Sequence, residues 1–263
     1  MTAPLRERAD SRIEGEEPTV RLDGVSKIYG QGKNSLLALD NVSLSVQPGE
    51  FVCLLGASGC GKSTLLSLVA GLDAPTAGRI DTEGHKIAMM FQEPALFPWL
   101  TVSANVEMAL RVQGVAKRER QARAAEFLEI VHLDGFGAKR PHELSGGMRQ
   151  RVSLARALAQ DANVLLMDEP FGALDAMTRD LLHDELERIW RERNLSVLFV
   201  THNVREAVRL GDRVVLLSSR PGRVVEHFPV ELDRPRRTDS TAVAELATTI
   251  TNRLRQEVLR HGR

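Results

Sequence analysis

The stretch GASGCGKST, at residues 56–64, constrains the fold of this 263-residue chain more than any other. It follows the continuous apolar run FVCLL at Phe51–Leu55 and leads into LLSLVAGL, whose composition favours a helix. A strand, a glycine-rich loop and a helix in this order form the arrangement that a phosphate-binding loop requires. This context argues against an ordinary glycine-rich turn, and it predicts a phosphate site at the start of a helix.

Each residue type in this loop has a chemical use. Glycines let backbone N–H groups converge on phosphate oxygens. We predict that Lys62 reaches the β and γ phosphates and that the Ser63 hydroxyl ligates Mg²⁺. Cys60 lies near the predicted helix start, where a thiol pKa can fall, but we favour a small packing residue over a redox switch. The predicted nucleotide-binding residues of the loop are Gly56, Ala57, Ser58, Gly59, Cys60, Gly61, Lys62, Ser63 and Thr64.

An acidic pair follows a second apolar run, VLLM at residues 164–167. We predict that Asp168 holds Mg²⁺ and that Glu169 orients or deprotonates the attacking water. Such a pair is weak support by itself. Together with the upstream loop, it indicates a nucleotide triphosphatase.

The remaining pattern predicts an α/β fold. VLFV at 197–200 and VVLL at 214–217 are continuous apolar runs, typical of strands covered on both faces. VRLDGV from Val20 and VSLSV from Val42 alternate instead, as in an antiparallel edge sheet. We therefore expect a parallel core sheet with an antiparallel β subdomain and, at about 97–160, an inserted α-helical subdomain.

We divide the chain into three parts. Residues 1–18 are predicted to be a mobile arm, residues 19–235 the catalytic domain, and residues 236–263 a helical tail. One face of the tail helix should carry apolar side chains, and packing on its own domain is favoured over a partner site. These side chains are Val243, Leu246, Ala247, Ile250, Leu254 and Val258.

Composition narrows the function. Lys and Arg together number 35, and so do Asp and Glu, which argues against a nucleic-acid partner. Two cysteines are too few for a disulfide framework and favour a reducing compartment. No run approaches the roughly 20 apolar residues of a membrane span or forms a signal peptide. We expect a protein that is not exported and that meets membranes only through partners.

A family resemblance rests on LSGGMRQR at Leu144–Arg151, which resembles the signature motif of ABC-transporter ATPase subunits. The similarity extends from Val20 to about Arg223. It implies a P-loop fold with a RecA-like core and a head-to-tail homodimer, or a dimer with a paralogous subunit. In that family the signature of one subunit closes over ATP held by the other. ATP contacts are thereby implied for Ser145, Gly146 and Gly147, although SGG alone would be a helix cap.

Other family elements occur in order. Tyr29 resembles the aromatic residue that stacks on adenine, although a half-buried core aromatic is the alternative from the residue alone. Gln92 resembles the glutamine that touches Mg²⁺ or water, and Asp175 in FGALD the acid of the dimer-interface loop. His202 resembles the histidine that contacts the γ phosphate, where a lone histidine would otherwise be structural.

The implied catalytic residues are thus Glu169, His202, Gln92 and Lys62, and the implied magnesium ligands are Ser63, Gln92 and Asp168. Met148 departs from the glutamine of many relatives. Because Ser145 and both glycines remain, ATPase competence is still expected.

Finer strings resemble the branch that imports nitrate, sulfonates, taurine and bicarbonate. They are FQEPALFPWLTVSANV at 91–106, LSGGM, SSRPGRV at 218–224 and LDRPR. This resemblance implies integral membrane permease subunits, an indirect extracytoplasmic binding protein and a peripheral location at the cytoplasmic face of the cell membrane. Pro98 and Trp99 resemble the surface that receives the permease, or form a plain hydrophobic corner.

Two other functions stay open from the sequence. Soluble ABC ATPases that act on ribosomes or DNA usually have two ATPase halves or long coiled-coil insertions, whereas this chain has one phosphate loop and no sustained heptads. The other is the motor of an exporter. The importer-like strings and the lack of fused membrane helices argue against an exporter.

Overall fold

The computed structural model describes residues 17–261. It contains two compact units, one formed by the described residues up to Gly84 together with Thr201 onwards, the other by His85–Val200. The arm predicted at residues 1–18 lies, apart from its last two residues, outside the described part of the chain.

The strands are β1 (Val20–Tyr29), β2 (Leu36–Val46), β3 (Phe51–Leu55), β4 (Ala77–Asp81), β5 (Ile87–Met90), β6 (Val164–Asp168), β7 (Ser196–Val200), β8 (Arg213–Leu217) and β9 (Val224–Pro229). The helices are α1 (Lys62–Val69), α2 (Val102–Val112), α3 (Lys117–Ile130), α4 (Gly146–Leu158), α5 (Ala176–Arg193), α6 (Val204–Leu210) and α7 (Thr241–His261), with short 3-10 turns at Gly32–Asn34 and Pro141–Glu143.

An antiparallel sheet in the first unit has the strand order β2-β1-β4. Val20, Leu22 and Val25 of β1 are buried, whereas Arg21 and Asp23 between them are exposed. This alternation is what a strand with one solvated face requires. The predicted antiparallel edge sheet is therefore confirmed, and β4 is a third strand that the sequence pattern did not indicate.

The same unit holds the strand that precedes the phosphate loop. β3 pairs in parallel with β8, and β8 pairs antiparallel with β9. All five residues of β3 are buried, as are the last four of β8. Their continuous apolar character follows from this burial on both faces.

In the second unit, β6 pairs in parallel with both β5 and β7. The predicted helical region contains α2, α3 and α4, and residues 97–160, all of which are described, include no strand. Thr101 caps α2 by accepting a hydrogen bond from the Ala104 N–H at 3.1 Å. The helices are confirmed, whereas their limits as a subdomain stay a prediction.

The last helix, α7, packs against α6 of its own unit. Val243, Ala247 and Ile250 are buried, as predicted. The prediction was wrong for Val258, whose side chain is 44% exposed because the neighbouring Glu257 takes the inward position. In residues 17–261, no helix is both long enough and apolar enough to cross a membrane.

Candidate nucleotide-binding site

The phosphate loop joins β3 to α1 through backbone conformations that favour glycine. Gly59 and Gly61 have φ angles of 74° and 98°, in the left-handed region where a side chain is strained. At Gly56 a Cβ atom would lie 2.6 Å from the Cys60 Sγ atom, so that position has no space for a side chain. The glycines of the motif therefore shape a tight loop whose Ser58 and Gly59 are exposed to solvent.

Lys62, the first residue of α1, is held within this loop. Its Nζ atom donates hydrogen bonds to the carbonyl oxygens of Gly56, at 2.9 Å, and Ala57, at 3.0 Å. Ser63 follows it on the exposed side of the helix. The first N–H groups of a helix have no partner within the helix, so the start of α1 has a positive potential. The Lys62 ammonium adds a full positive charge there.

The Cys60 side chain fills the space under the loop. It is fully buried, and burial raises the pKa of its thiol, opposed by the nearby Lys62 ammonium. A protonated, enclosed thiol is a poor nucleophile. This arrangement supports the packing role over a redox switch.

Tyr29 ends β1 in the same unit as the phosphate loop. Its ring is 39% exposed, and its hydroxyl donates to the Asp73 Oδ2 atom at 3.2 Å. The Lys27 Nζ atom lies 5.0 Å from the ring centroid and donates to the Asp73 carboxylate at 2.6 Å, which lowers the pKa of that carboxyl. The half-exposed ring thus lies at the surface, with its hydroxyl bonded to Asp73 and the Lys27 ammonium over the ring.

His202 also belongs to this unit, on the segment that leads into α6. The N–H of Thr201 donates to the carbonyl of Leu54 in β3 at 3.3 Å, which attaches the segment to the strand before the phosphate loop. Thr201 also donates through its hydroxyl to Glu206, and Asn203 caps α6. The exposed His202 ring is therefore presented by a segment fixed on both sides.

The acidic pair lies in the second unit, at the end of β6. Asp168 is only 5% exposed. Glu169 has a φ of 47° and donates its N–H to the carbonyl of Val200 at 2.9 Å. Such a left-handed conformation is uncommon for a residue other than glycine. The Gln92 Nε2 atom lies 3.5 Å from a Glu169 carboxylate oxygen, so the structure brings these two predicted residues together.

The segment after Gln92 is held by side chains that the sequence analysis missed. The Gln150 amide donates to the carbonyl of Gln92 at 3.4 Å, and Arg156 donates to the carbonyls of Pro94 and Ala95. Asn105, fully buried in α2, accepts from the Phe97 N–H at 2.8 Å. For the buried Asn105 and Gln150, the signal in the sequence is a polar residue on the apolar face of a helical pattern.

The signature segment forms the first turn of α4. The Ser145 hydroxyl accepts from the Met148 N–H at 3.2 Å and caps the helix. Ser145 and Gly146 are exposed, so the positive end of the helix faces solvent. A Cβ atom on Gly147 would lie 2.9 Å from a Leu174 side-chain carbon, so glycine allows α4 to approach the FGALD segment closely.

Asp175 caps α5. Its carboxylate accepts from the Thr178 N–H at 3.0 Å and from the Thr178 hydroxyl at 2.7 Å. These bonds lower the pKa of the Asp175 carboxyl. The acid of the FGALD loop thus has a structural task in addition to any role in a dimer.

The predicted magnesium ligands suit that ion by their chemistry. Ser63, Gln92 and Asp168 carry a hydroxyl, an amide and a carboxylate oxygen, and Mg²⁺ takes few protein oxygen ligands in addition to substrate phosphates. Within residues 17–261 no cluster of three or more His, Cys, Asp or Glu side chains forms an all-protein metal site. Each of the three predicted ligands thus carries an oxygen donor of the kind that Mg²⁺ takes beside nucleotide phosphates.

Comparison with known families decides the assignment. The family profile described as ABC transporter matches residues 39–172, a segment that contains the phosphate loop, Gln92, the signature segment and the acidic pair. The chain belongs to the ABC transporter family. This membership confirms the expected α/β fold of the ABC-ATPase type, and it makes the chain an ATP-hydrolysing enzyme of that type.

Curated relatives of this ABC protein have names that specify import. A taurine import ATP-binding protein from Burkholderia pseudomallei is 50% identical over 80% of this chain and 84% of the relative. A nitrate import ATP-binding protein from Synechocystis is 46% identical over 81% of this chain and 83% of the relative. An aliphatic sulfonates import ATP-binding protein from Bacillus cereus is 43% identical over 87% of this chain and 92% of the relative.

A solved structure is similar over the whole length of its chain. It is the dimeric post-hydrolysis state of the ATP-binding cassette MJ0796 bound to ADP and phosphate. The TM-score is 0.75 at 35% identity, with 81% of this chain covered.

Proposed function

We propose that the protein is the ATP-binding and hydrolysing subunit of an importer for a small anion such as taurine, nitrate or an aliphatic sulfonate. The observation that carries the proposal is the loop at residues 56–64, closed around Lys62 at the start of α1. The import names of relatives at 43–50% identity support the direction and the substrate class. The equal numbers of acidic and basic residues give no support to action on ribosomes or DNA.

The phosphates of ATP occupy the loop in this proposal. Backbone N–H groups of residues 58–64 and the Lys62 ammonium bind the β and γ phosphates, and Tyr29 stacks on the adenine. Ser63, Gln92 and Asp168 would hold Mg²⁺, which would neutralise the charge that develops on the phosphates.

Hydrolysis requires a water placed in line with the γ phosphorus. Glu169, with Gln92 beside it, orients this water and accepts its proton as the oxygen–phosphorus bond forms. The bond between the γ phosphorus and the bridging oxygen breaks, and ADP leaves with the electron pair. His202 contacts the γ phosphate from the segment attached to β3.

The second half of each site comes from another subunit. Ser145, Gly146 and Gly147 present the positive end of α4, which suits the γ phosphate held by a facing subunit. We propose a head-to-tail dimer that closes on ATP, and the dimeric state of the similar cassette supports this arrangement. ATP and ADP then favour different states because they make different contacts across the interface.

The motor acts through membrane partners. We propose a peripheral location at the cytoplasmic face of the cell membrane, attached to permease subunits and served indirectly by an extracytoplasmic binding protein. Trp99, 69% exposed beside Phe97, supports a permease-facing surface there.

Mixing two inactive variants tests the composite site. Lys62→Ala removes the lysine contact to the phosphates in the subunit that carries it. Ser145→Arg blocks the signature segment, which closes over the nucleotide held by the partner subunit. Each variant alone is expected to lose steady-state phosphate release, whereas a mixed dimer keeps one intact composite site. Normal hydrolysis by each variant alone would contradict the shared site.

A further inference from the structure

One loop that the proposed mechanism does not use lies against the phosphate loop. It comprises Ser218–Arg223, between β8 and β9, and is called here the RPG loop. Ser218 closes it, since its hydroxyl donates to the carbonyl of Pro221 at 2.7 Å and accepts from the Arg223 N–H at 2.9 Å. The backbone N–H of Ser218 also donates to the carbonyl of Arg223 at 2.9 Å. These bonds make the RPG loop a closed turn with a defined shape.

The RPG loop is anchored to β2. The N–H of Gly222 donates to the carbonyl of Ala38 at 2.9 Å, and its carbonyl accepts from the Asp40 N–H at 3.0 Å. The same β2 segment limits the phosphate loop, because a Cβ atom on Gly61 would lie 2.9 Å from the Ala38 carbonyl oxygen. Both loops are therefore placed against one strand.

The RPG loop also contacts the phosphate loop directly. The Arg220 Nε atom donates to the carbonyl oxygen of Gly59 at 3.2 Å. A Cβ atom on Gly222 would lie only 2.1 Å from the Cys60 carbonyl oxygen, so the two backbones approach as closely as glycine allows. Two successive carbonyl groups of the phosphate loop thus meet the RPG loop.

These contacts bear on a glycine of the phosphate loop. Gly59 lies in the left-handed region, and glycine has many alternative conformations to lose on binding. Fixing its carbonyl also fixes the following N–H, because both belong to one planar peptide group. A loop already held in its binding conformation binds more tightly, since less ordering is left to the ligand.

We propose that the RPG loop holds the phosphate loop in its nucleotide-binding conformation and that Arg220 is the positioning residue for the Gly59–Cys60 peptide. The proposal rests on the function proposed above, in which residues 56–64 bind the phosphates of ATP. Arg220 acts on the nucleotide through the loop backbone and is not itself a phosphate ligand.

The test compares the affinity of a fluorescent ATP analogue with Mg²⁺ for Arg220→Ala and the wild-type protein. Loss of one charge-assisted hydrogen bond should raise the Kd about three- to tenfold. The KM for ATP should rise together with the Kd. The fold increase in KM should exceed the fold decrease in kcat, because the chemical step uses other residues. Arg220→Lys keeps a donor at this position and should regain part of the lost affinity.

Arg223→Ala is the matched control. Arg223 carries the same charge on the same loop, but it pairs with Asp40 at the surface and is not bonded to the phosphate loop. Surface ion pairs contribute little, so its Kd should stay within about twofold of wild type. An equal loss for Arg220→Ala and Arg223→Ala would indicate a general charge effect and would overturn the proposal.

Three further outcomes are decisive. A Kd for Arg220→Ala within about twofold of wild type would overturn the inference. A fall in the nucleotide-free Tm of more than about 5 °C would also overturn it, because general damage would then explain the weaker binding. Lys62→Ala distinguishes failure of the proposed nucleotide site from failure of the positioning role. Normal analogue binding by Lys62→Ala would refute the nucleotide site. Weakened binding by Lys62→Ala together with an unchanged Kd for Arg220→Ala would refute only the positioning role.

Discussion

Asn105 gives a quantitative test of how the segment after Gln92 is held. Its side chain is fully buried and makes a two-way bond with Phe97, accepting from the N–H at 2.8 Å and donating to the carbonyl at 3.2 Å. It also donates to the carbonyls of Thr101 at 2.9 Å and Leu100 at 3.5 Å. Asn105→Leu keeps the approximate size but removes all four bonds.

The magnitude follows from which groups lose every partner. The carbonyls of Phe97 and Thr101 each keep a backbone bond, from the N–H groups of Leu100 and Asn105. The Phe97 N–H and the Leu100 carbonyl lose their bonds to the side chain. An unpaired donor costs about 1–3 kcal/mol when it is buried, and the lost bonds add roughly 1 kcal/mol. We expect a decrease of about 2–4 kcal/mol in the free energy of unfolding.

Urea unfolding followed by circular dichroism measures this decrease in the free energy of unfolding. In a thermal melt, the Tm of a chain of this size should fall by roughly 4–16 °C. Val112→Ala is the control on the same helix, because its side chain is 79% exposed and the change should stay within about 0.5 kcal/mol. If Asn105→Leu matched that control, the inference that Asn105 anchors this segment would be refuted.

Three other results are expected. Glu169→Gln should bind ATP normally and lower steady-state phosphate release by at least about a hundredfold. It should also accumulate an ATP-bound dimer in size-exclusion chromatography. Full turnover would remove Glu169 from the catalytic role. Gly147→Val should lower hydrolysis more than ATP binding by the isolated subunit, because the new side chain meets Leu174 where α4 approaches the FGALD segment; unchanged turnover would show that this close approach is dispensable. Ellman's reagent at pH 7 should label neither Cys53 nor Cys60 in the native protein and both in denaturant, because burial raises the pKa of each thiol; rapid native labelling would contradict their enclosure.

The sequence was most informative where one local pattern determines both structure and chemistry. β3 occupies the residues of the FVCLL run, and α1 begins at Lys62, because buried apolar runs and glycine loops have local signals. β4 and β5 were not predicted. β4 has no buried residue, and β5 is only four residues long, of which two are buried.

Long-range contacts explain what the sequence analysis missed in the site. Arg220 meets Gly59, which lies 161 positions earlier, and Gln150 meets Gln92 across 58 positions. No local pattern encodes such pairs. The error at Val258 is local instead, since the buried Glu257 forms ion pairs on its own helix with Arg253 at 2.6 Å and Arg260 at 2.9 Å. Helical periodicity alone cannot show that a charged residue will take the inward position.

The most direct test of the central claim is purification of the tagged protein from solubilised native membranes, with mass spectrometric identification of what accompanies it. The account predicts a polytopic permease, alone or with a secreted binding protein whose anion can then be identified by ligand screening. Recovery of only ribosomal or DNA-bound proteins, with the ATPase entirely in the soluble fraction, would contradict the transport function.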